Sequence, residues 1–395
     1  MGSQACRMGS RACPIGSQTR VSYGVRVHAN HDYLGRLARV GRAAGEAGVD
    51  AILVTPGPDL RYLIGYDAVP LERLTCLVLP AVGDPVLVVP GLEELAAQAS
   101  PAGAIGIEVR TWGETEDPFA LVASLAPRAR TIAVDDHMWA EKVLRLRAAM
   151  PEAEQVLAGP MIASLRMRKD EHEVQALRQA GQAIDQVHAQ VPGLLRPGRT
   201  EREVGRQIAE LIMEVGHQRV DFVIVASGPN GASPHHELSD RVLEASDVVV
   251  VDIGGTMPSG YCSDSTRMYA LGEPAAEFAE WYAALLEAQQ SAVRAVRPGL
   301  TCAELDAVAR DRLAEAGIAE LFIHRTGHGI GLQTHEEPYI VVGNGTALEP
   351  GMAFSIEPGF YARGRFGARI EDIVVCTDSG AESMNHATHD LVVVS

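Results

Sequence analysis

The sequence predicts two domains: an α/β domain over residues 31–158 and an α+β domain over residues 159–395 built from two similar halves. Three observations carry this reading. The chain has 395 residues, long enough for two separate cores. From residue 32 to 158, short apolar strands alternate with helical segments, the pattern of an α/β domain. Beyond that, Arg196-Pro-Gly-Arg-Thr200-Glu-Arg-Glu203 recurs as Arg297-Pro-Gly-Leu-Thr301-Cys-Ala-Glu304. Each copy has a long helix before it and a second helix after it, ending at Gly216 and Gly317. Thr and Glu three apart form a capping box at the start of each second helix. Convergent capping chemistry would explain the short match alone; the equivalent flanking helices favour duplication, with a site between the halves.

Residues 1–30 stand apart. Met1-Gly-Ser-Gln-Ala-Cys6 is echoed by Met8-Gly-Ser-Arg-Ala-Cys13, without the apolar stretch of a secretory signal. We read residues 1–30 as a disordered extension, or as the result of an upstream start codon, and Cys6 and Cys13 as unconnected with metal for want of neighbouring ligands. Next, Leu34, Leu37, Val40 and Ala44 have helical period. Ala51-Ile-Leu-Val is a strand, and Pro56-Gly-Pro58 a turn. Residues 74–79 and 85–89 form a hairpin around Ala81-Val-Gly-Asp84. Helices over 92–99, 118–125 and 140–150 then alternate with strands over 104–109, 131–134 and 155–157. Arg61-Tyr62 in this domain reads as structural. The second domain opens near Gly159-Pro160, and Asp170-Glu-His-Glu173 caps a long helix running to about Val191.

The run Val248–Val251 is a strand, and Asp252 ends it, where an unpaired carboxylate is costly to bury. A Gly/Pro/Ser turn leads to Asp264 on a second extended segment. Two carboxylates on adjacent strands would point at one spot and need a cation or a shared proton. The plain alternative is an Asp capping a turn and a second, solvated Asp. Further donors sit in Thr326-Gly-His328-Gly, Phe354-Ser-Ile-Glu357-Pro and Ala368-Arg369-Ile-Glu371-Asp-Ile-Val-Val. The last two read as strands carrying a carboxylate among apolar neighbours. Four carboxylates and one imidazole suit manganese, zinc, cobalt or ferrous iron rather than copper or a thiolate-bound metal.

In order and local context, these five segments resemble the metal-ligand motifs of the pita-bread metallopeptidases, the family of prolidase, aminopeptidase P and methionine aminopeptidase. The resemblance covers residues 160–395 closely and 31–158 more loosely. It implies a creatinase/prolidase-like α/β N-terminal domain and an α+β pita-bread C-terminal domain with an internal pseudo-two-fold repeat. It implies two divalent metal ions, manganese first among them, with Asp252 on one metal, His328 on the other, Asp264 and Glu371 bridging, and Glu357 as ligand and proton shuttle. Such a pair, about 3.5–4 Å apart, depresses the pKa of a shared water. It further implies that His235 and His335 touch the substrate or the tetrahedral intermediate and that His324 lines the pocket. Arg369, two residues before Glu371, lies on the same face of a strand and orients an acidic ligand or pairs with Asp264. Tyr361 resembles a tyrosine near the active site of aminopeptidase P, with core packing an equal alternative. His236 has no counterpart in these motifs. His386 and His389 read as parts of a polar loop.

The N-terminal domain separates the chain from methionine aminopeptidases, and the complete ligand set separates it from creatinase. The resemblance implies cleavage before proline in Xaa-Pro dipeptides, with aminopeptidase P activity on longer Xaa-Pro-Xaa peptides as the alternative. A non-catalytic binding protein on the same fold is the alternative of another class, and the intact ligands oppose it. A net charge of −17 argues against nucleic acid or an anionic membrane as partner, and no apolar run approaches a membrane span. Six scattered cysteines suit a reducing cytoplasm. The family suggests a homodimer or larger homo-oligomer. Gly329-Ile-Gly331 lacks the frame of a nucleotide-binding loop and is set aside.

Overall fold

The computed structural model describes residues 32–394, so the expected extension over residues 1–30, with Cys6 and Cys13, lies outside the described residues. The first unit of architecture is a six-stranded sheet in the order β4-β3-β2-β1-β5-β6. Its strands are β1 (Ala51–Val54), β2 (Cys76–Pro80), β3 (Val86–Pro90), β4 (Glu108–Trp112), β5 (Thr131–Val134) and β6 (Glu154–Leu157). The predicted hairpin is β2 and β3, paired antiparallel. On one face lie α1 (Tyr33–Glu46), α2 (Pro58–Ile64) and α7 (Gly159–Arg166), packed on Ile52, Val54, Leu77 and Leu87. On the other lie α5 (Pro118–Leu125) and α6 (Ala140–Ala149), against Leu53, Val78 and Ile132. Successive strand residues face opposite ways, so both faces carry a core.

Two segments here differ from the sequence reading. Pro56-Gly-Pro58 does not merely turn: Pro58 opens α2, and Gly65 closes it in the left-handed conformation at φ 68°. The strand expected over 104–109 lies at Glu108–Trp112 instead. After α3 (Glu94–Ala99), the short α4 (Pro101–Ala104) occupies its start, and Gly106 turns at φ 80°. The apolar Ile105 and Ile107 pack beneath the sheet rather than in it.

The remaining residues form two sheet layers of related construction. The first is β17-β9-β8-β7, from β7 (Arg219–Ser227), β8 (Val248–Thr256), β9 (Cys262–Leu271) and β17 (Val392–Val394). The second is β11-β10-β12-β15-β16, from β10 (Gly327–Gly329), β11 (Glu336–Ile340), β12 (Ala353–Ile356), β15 (Asp372–Thr377) and β16 (Gly380–Ser383). A hairpin pairs β13 (Gly359–Ala362) with β14 (Phe366–Arg369), and β14 packs against β8 and β9. On the outer face of the first sheet, α8 (Glu171–His188) and α10 (Glu201–Glu214), joined through α9 (Val191–Leu194), pack Ile184, Val187, Val204 and Ile208 on Val249, Val251 and Ile253. The second sheet receives α11 (Ala276–Ala295) and α12 (Cys302–Glu315) in the same way, through Ala292, Leu305 and Ala309 against Phe354, Ile356 and Val374. The repeat read from the sequence is therefore a repeat of helix pair and sheet. All three capping boxes form, at Asp170/Glu173, Thr200/Glu203 and Thr301/Glu304.

This arrangement decides where Asp252 points. Val249, Val251 and Ile253 face the helices, so Asp252 and Gly254 face inward. The strand does not stop at Asp252, as the sequence suggested, but continues to Thr256, paired on both sides. The outward valines and isoleucine carry the helix contact, so a single inward carboxylate does not interrupt the pairing. No helix among the described residues is long and apolar enough to cross a membrane.

Candidate active site

The inward faces of both sheets open on one cavity of about 670 Å³. Strand register brings the acids together: Asp252 and Thr266 are cross-strand partners, as are Gly254 and Asp264, and Thr266 bridges to Glu371. Gly254 leaves no room for a side chain, since a Cβ there would lie 2.6 Å from the Ser263 carbonyl. From the second sheet come His328 on β10, Glu357 just past β12, and Glu371. Glu371 is not within a continuous strand. β14 ends at Arg369 and β15 begins at Asp372, because the former pairs with β13 and the latter with β12. Arg369 and Glu371 both line the cavity all the same.

Asp252, Asp264, His328 and Glu371 are buried, and Glu357 is nearly so. Nε2 of His328 lies 3.4 Å from Glu357 Oε1, 3.7 Å from Asp264 Oδ2 and 4.0 Å from Glu371 Oε1. The other ring nitrogen, Nδ1, donates to the Gly329 carbonyl at 3.1 Å. Burial, aided by the neighbouring His335, pushes the His328 pKa down to about 3, so the ring is neutral. Its bare Nε2 lone pair therefore faces carboxylate oxygens. Burial pushes the Glu357 carboxyl up to about 7, with Arg369 opposing and Asp252 adding to the rise. Asp264 and Glu371 are pushed well above the ordinary carboxylate range by burial and then by the neighbouring acids.

Two further facts test the fit of a metal. Ligand atoms of Asp252, Asp264 and Glu371 lie within 4.8 Å of one another, as do those of His328, Glu357 and Glu371, and of Asp264, His328 and His335. Asp252 Oδ1 is buried with no hydrogen-bond partner. A lone pair aimed at carboxylates, an orphaned oxygen and mutually repelling acids are what divalent cations would neutralise. The residues fit.

Arg369 bonds Asp252, not Asp264. It also donates to Thr266 Oγ1 at 3.1 Å and to the Tyr361 hydroxyl at 2.8 Å, and lies 3.9 Å from Glu357 Oε2. Tyr361 is behind the cavity wall rather than on it: its hydroxyl links Arg369 to His324 Nε2 at 2.8 Å. His324 lines the cavity with both ring nitrogens engaged, Nδ1 donating to the Arg325 carbonyl at 2.7 Å. His235 and His335 line it from exposed positions, and the His335 ring lies 3.9 Å from that of His328. His386 and His389 lie elsewhere, His389 bonded to Asp372 at 2.7 Å.

The sequence reading passed over Glu201. This fully buried carboxylate collects donors from Ser227, Asn230, His236 and Ser239, the last at 2.6 Å. It thereby fixes the loop that carries His235. Its position directly after the cap Thr200 was visible; its distant partners were not. Arg325, another cavity residue, was also missed.

Fold and site together define the class: a metal-dependent hydrolase with an α/β N-terminal domain and a pita-bread catalytic domain. The chain belongs to metallopeptidase family M24, which residues 175–378 match, and residues 36–168 match the creatinase/prolidase N-terminal domain. The chain is similar to a probable dipeptidase PepE of Mycobacterium tuberculosis, 54% identical over 365 residues, 92% of this chain and 96% of that one. It is 37% identical over 362 residues to an Xaa-Pro dipeptidase of Lactobacillus delbrueckii subsp. lactis, covering 88% of this chain and 96% of that one. The crystal structure of dipeptidase PepE from Mycobacterium ulcerans superposes with a TM-score of 0.88 at 55% identity, over 92% of this chain and 98% of that one.

Proposed function

We propose that this metallopeptidase hydrolyses the bond before proline in Xaa-Pro dipeptides, releasing the N-terminal residue. Two divalent cations would be held by Asp252, Asp264, His328, Glu357 and Glu371. The observation that carries the reading is the convergence of these five side chains on one cavity, with the His328 lone pair directed at carboxylates. The relatives named as dipeptidases support the substrate class. An oxygen-rich set with one imidazole favours manganese, with zinc, cobalt and ferrous iron as alternatives. When bound, the cations supply Lewis-acid polarisation of the scissile carbonyl and activation of water.

The chain's own side chains do the rest. Glu357 takes a proton from the attacking water and passes it to the departing imino nitrogen. Arg369 holds the Asp252 carboxylate in place and lends positive charge to Glu357. His235 and His335 offer ring nitrogens to the substrate carbonyl region from the cavity wall. The reading extends to a cytoplasmic homodimer or larger homo-oligomer, with domains dividing at 158/159. The buried free thiols of Cys76, Cys262, Cys302 and Cys376 suit a reducing compartment.

The test is turnover of Xaa-Pro against Xaa-Pro-Xaa. We expect the dipeptide to be the better substrate. Faster cleavage of the tripeptide would reassign the protein to the aminopeptidase P activity.

A further inference from the structure

His324 and His328 are each held in place by hydrogen bonds to their own rings. His335 is not: among the described residues its ring makes no hydrogen bond, and it stands exposed on the cavity wall. Its position is therefore set by its backbone, the irregular stretch of residues 330–335 between β10 and β11. What fixes that stretch comes from the other domain.

Leu332 packs against the core shared by α1, α2 and α7, and also against the core that holds Ile330 and Ala353, so it sits between the two domains. The Gln333 amide lies 3.5 Å from Nε2 of His137, which follows β5. Glu336, directly after His335, is buried, with Arg166 and Lys169 as partners. Lys169 Nζ donates to Glu336 Oε1 at 2.5 Å. Arg166, the last residue of α7, donates from Nη2 to Glu336 and from Nη1 to Asp59 on α2 at 2.7 Å. Burial would raise the Glu336 carboxyl, but Lys169 and Arg166 outweigh it and hold it below its ordinary range. Two buried cations thus meet two buried anions, and the guanidinium fork spans the domains.

Such a cluster is a costly way to add stability, since removing four charges from water offsets much of their attraction. It does restrict geometry. Apolar contacts let a loop slide, whereas one planar fork between two carboxylates permits a single arrangement. We propose that Glu336, held by Arg166 and Lys169, is a positioning residue through which the N-terminal domain fixes His335 over the cavity; the proposal rests on the function proposed above. A displacement of about 1 Å at a group that meets the reacting carbonyl is enough to slow the reaction.

The experiment measures kcat and KM for Ala-Pro at saturating manganese, and the unfolding midpoint, in the wild type, H335A, E336Q and the double variant H335A/E336Q. We expect H335A to lower kcat on the order of 100-fold. E336Q should lower kcat at least about 10-fold with KM near that of the wild type. In the H335A background E336Q should cost less than about twofold in kcat, while its shift of the unfolding midpoint stays the same in both backgrounds. R166K keeps the charge but cannot span Asp59 and Glu336. It should show a smaller loss with the same dependence on His335, and it carries the test should E336Q fail to fold. An equal fold-loss with and without His335 would overturn the proposal and leave the reaction standing, as would an E336Q variant with the kcat of the wild type. H335A at the wild-type rate would overturn the role given to His335 and this inference with it. A folded, manganese-loaded wild type that does not cleave Ala-Pro would overturn the proposed function as well.

Discussion

Nε2 of His328 faces Glu357 and Asp264 because Nδ1 is engaged by the Gly329 carbonyl. That one backbone contact selects the tautomer that can ligate a metal. The acids around it repel one another when no cation is bound, and this gives a testable asymmetry. Asp264→Asn removes one acid from the cluster, and with it the cost of burying that acid among its neighbours, so it should raise the unfolding midpoint of the metal-stripped protein. The same substitution should abolish the further rise that manganese gives the wild type. Calorimetry with and without chelator measures both. A variant whose metal-free midpoint falls, or which still gains stability from manganese, would contradict the assigned cluster. At this scale the sequence was informative for the side chains that meet in the cavity, because His328, Glu357 and Glu371 each sit beside a glycine or in an apolar strand and Asp252 follows a run of valines. It was silent on Glu201 and Arg325. What places them is contact across the fold: Glu201 with Ser227, Asn230, His236 and Ser239, and Arg325 with the Tyr339 ring.

Helix starts were the most legible elements. Thr200 and Thr301 each accept from the backbone N–H three residues on, at 3.2 Å, while Glu203 and Glu304 bond back to the cap. These bonds are local, so the sequence contains all the partners. Thr200→Ala and Thr301→Ala should each lower stability by about 1 kcal/mol, read from denaturant midpoints with unchanged slope. The two losses should add, because the boxes lie in separate halves. A loss in one variant only would show that the halves do not share this device. Strand boundaries were less legible. Ala368-Arg-Ile-Glu-Asp-Ile-Val-Val looks continuous, yet it breaks between Arg369 and Asp372 because its two parts pair with different strands. That division is set by residues 353–362, which no local pattern connects to it. Likewise, α2 was hidden by its brevity, although Pro58 at its first turn and Gly65 past its end are ordinary helix signals.

On the scale of the whole molecule, buried polar ties join the parts that build the cavity. Arg36 on α1 reaches Asp170 at 3.1 Å and Glu173 at 3.3 Å, at the start of α8. His188 at the far end of α8 bonds Tyr269 and the Ser265 carbonyl, beside Asp264. Burial, with Arg267 adding, pushes the His188 pKa down to about 3 from its ordinary 6.5. The folded state therefore binds the proton less well than the unfolded chain. The contribution of neutral His188 is fully present above pH 6.5 and is lost as pH falls towards 3, at a limiting slope of about 1.4 kcal/mol per pH unit. Metal-stripped wild type should lose stability between pH 7 and 5 more steeply than His188→Gln, measured by urea unfolding. Equal slopes would show that His188 is protonated in the fold. The two-fold organisation was readable from the repeated Arg-Pro-Gly-x-Thr motif, whereas the closure of the two sheets on one cavity depends on contacts between halves.

The measurement that bears most directly on the central claim is hydrolysis of Xaa-Pro by chelator-stripped protein as manganese is added back, beside Glu357→Ala. We predict no cleavage by the stripped protein, restoration by manganese in the wild type, and a kcat at least about 100-fold lower in the folded variant. Cleavage that persists without metal, or that Glu357→Ala sustains at the wild-type rate, would contradict the account.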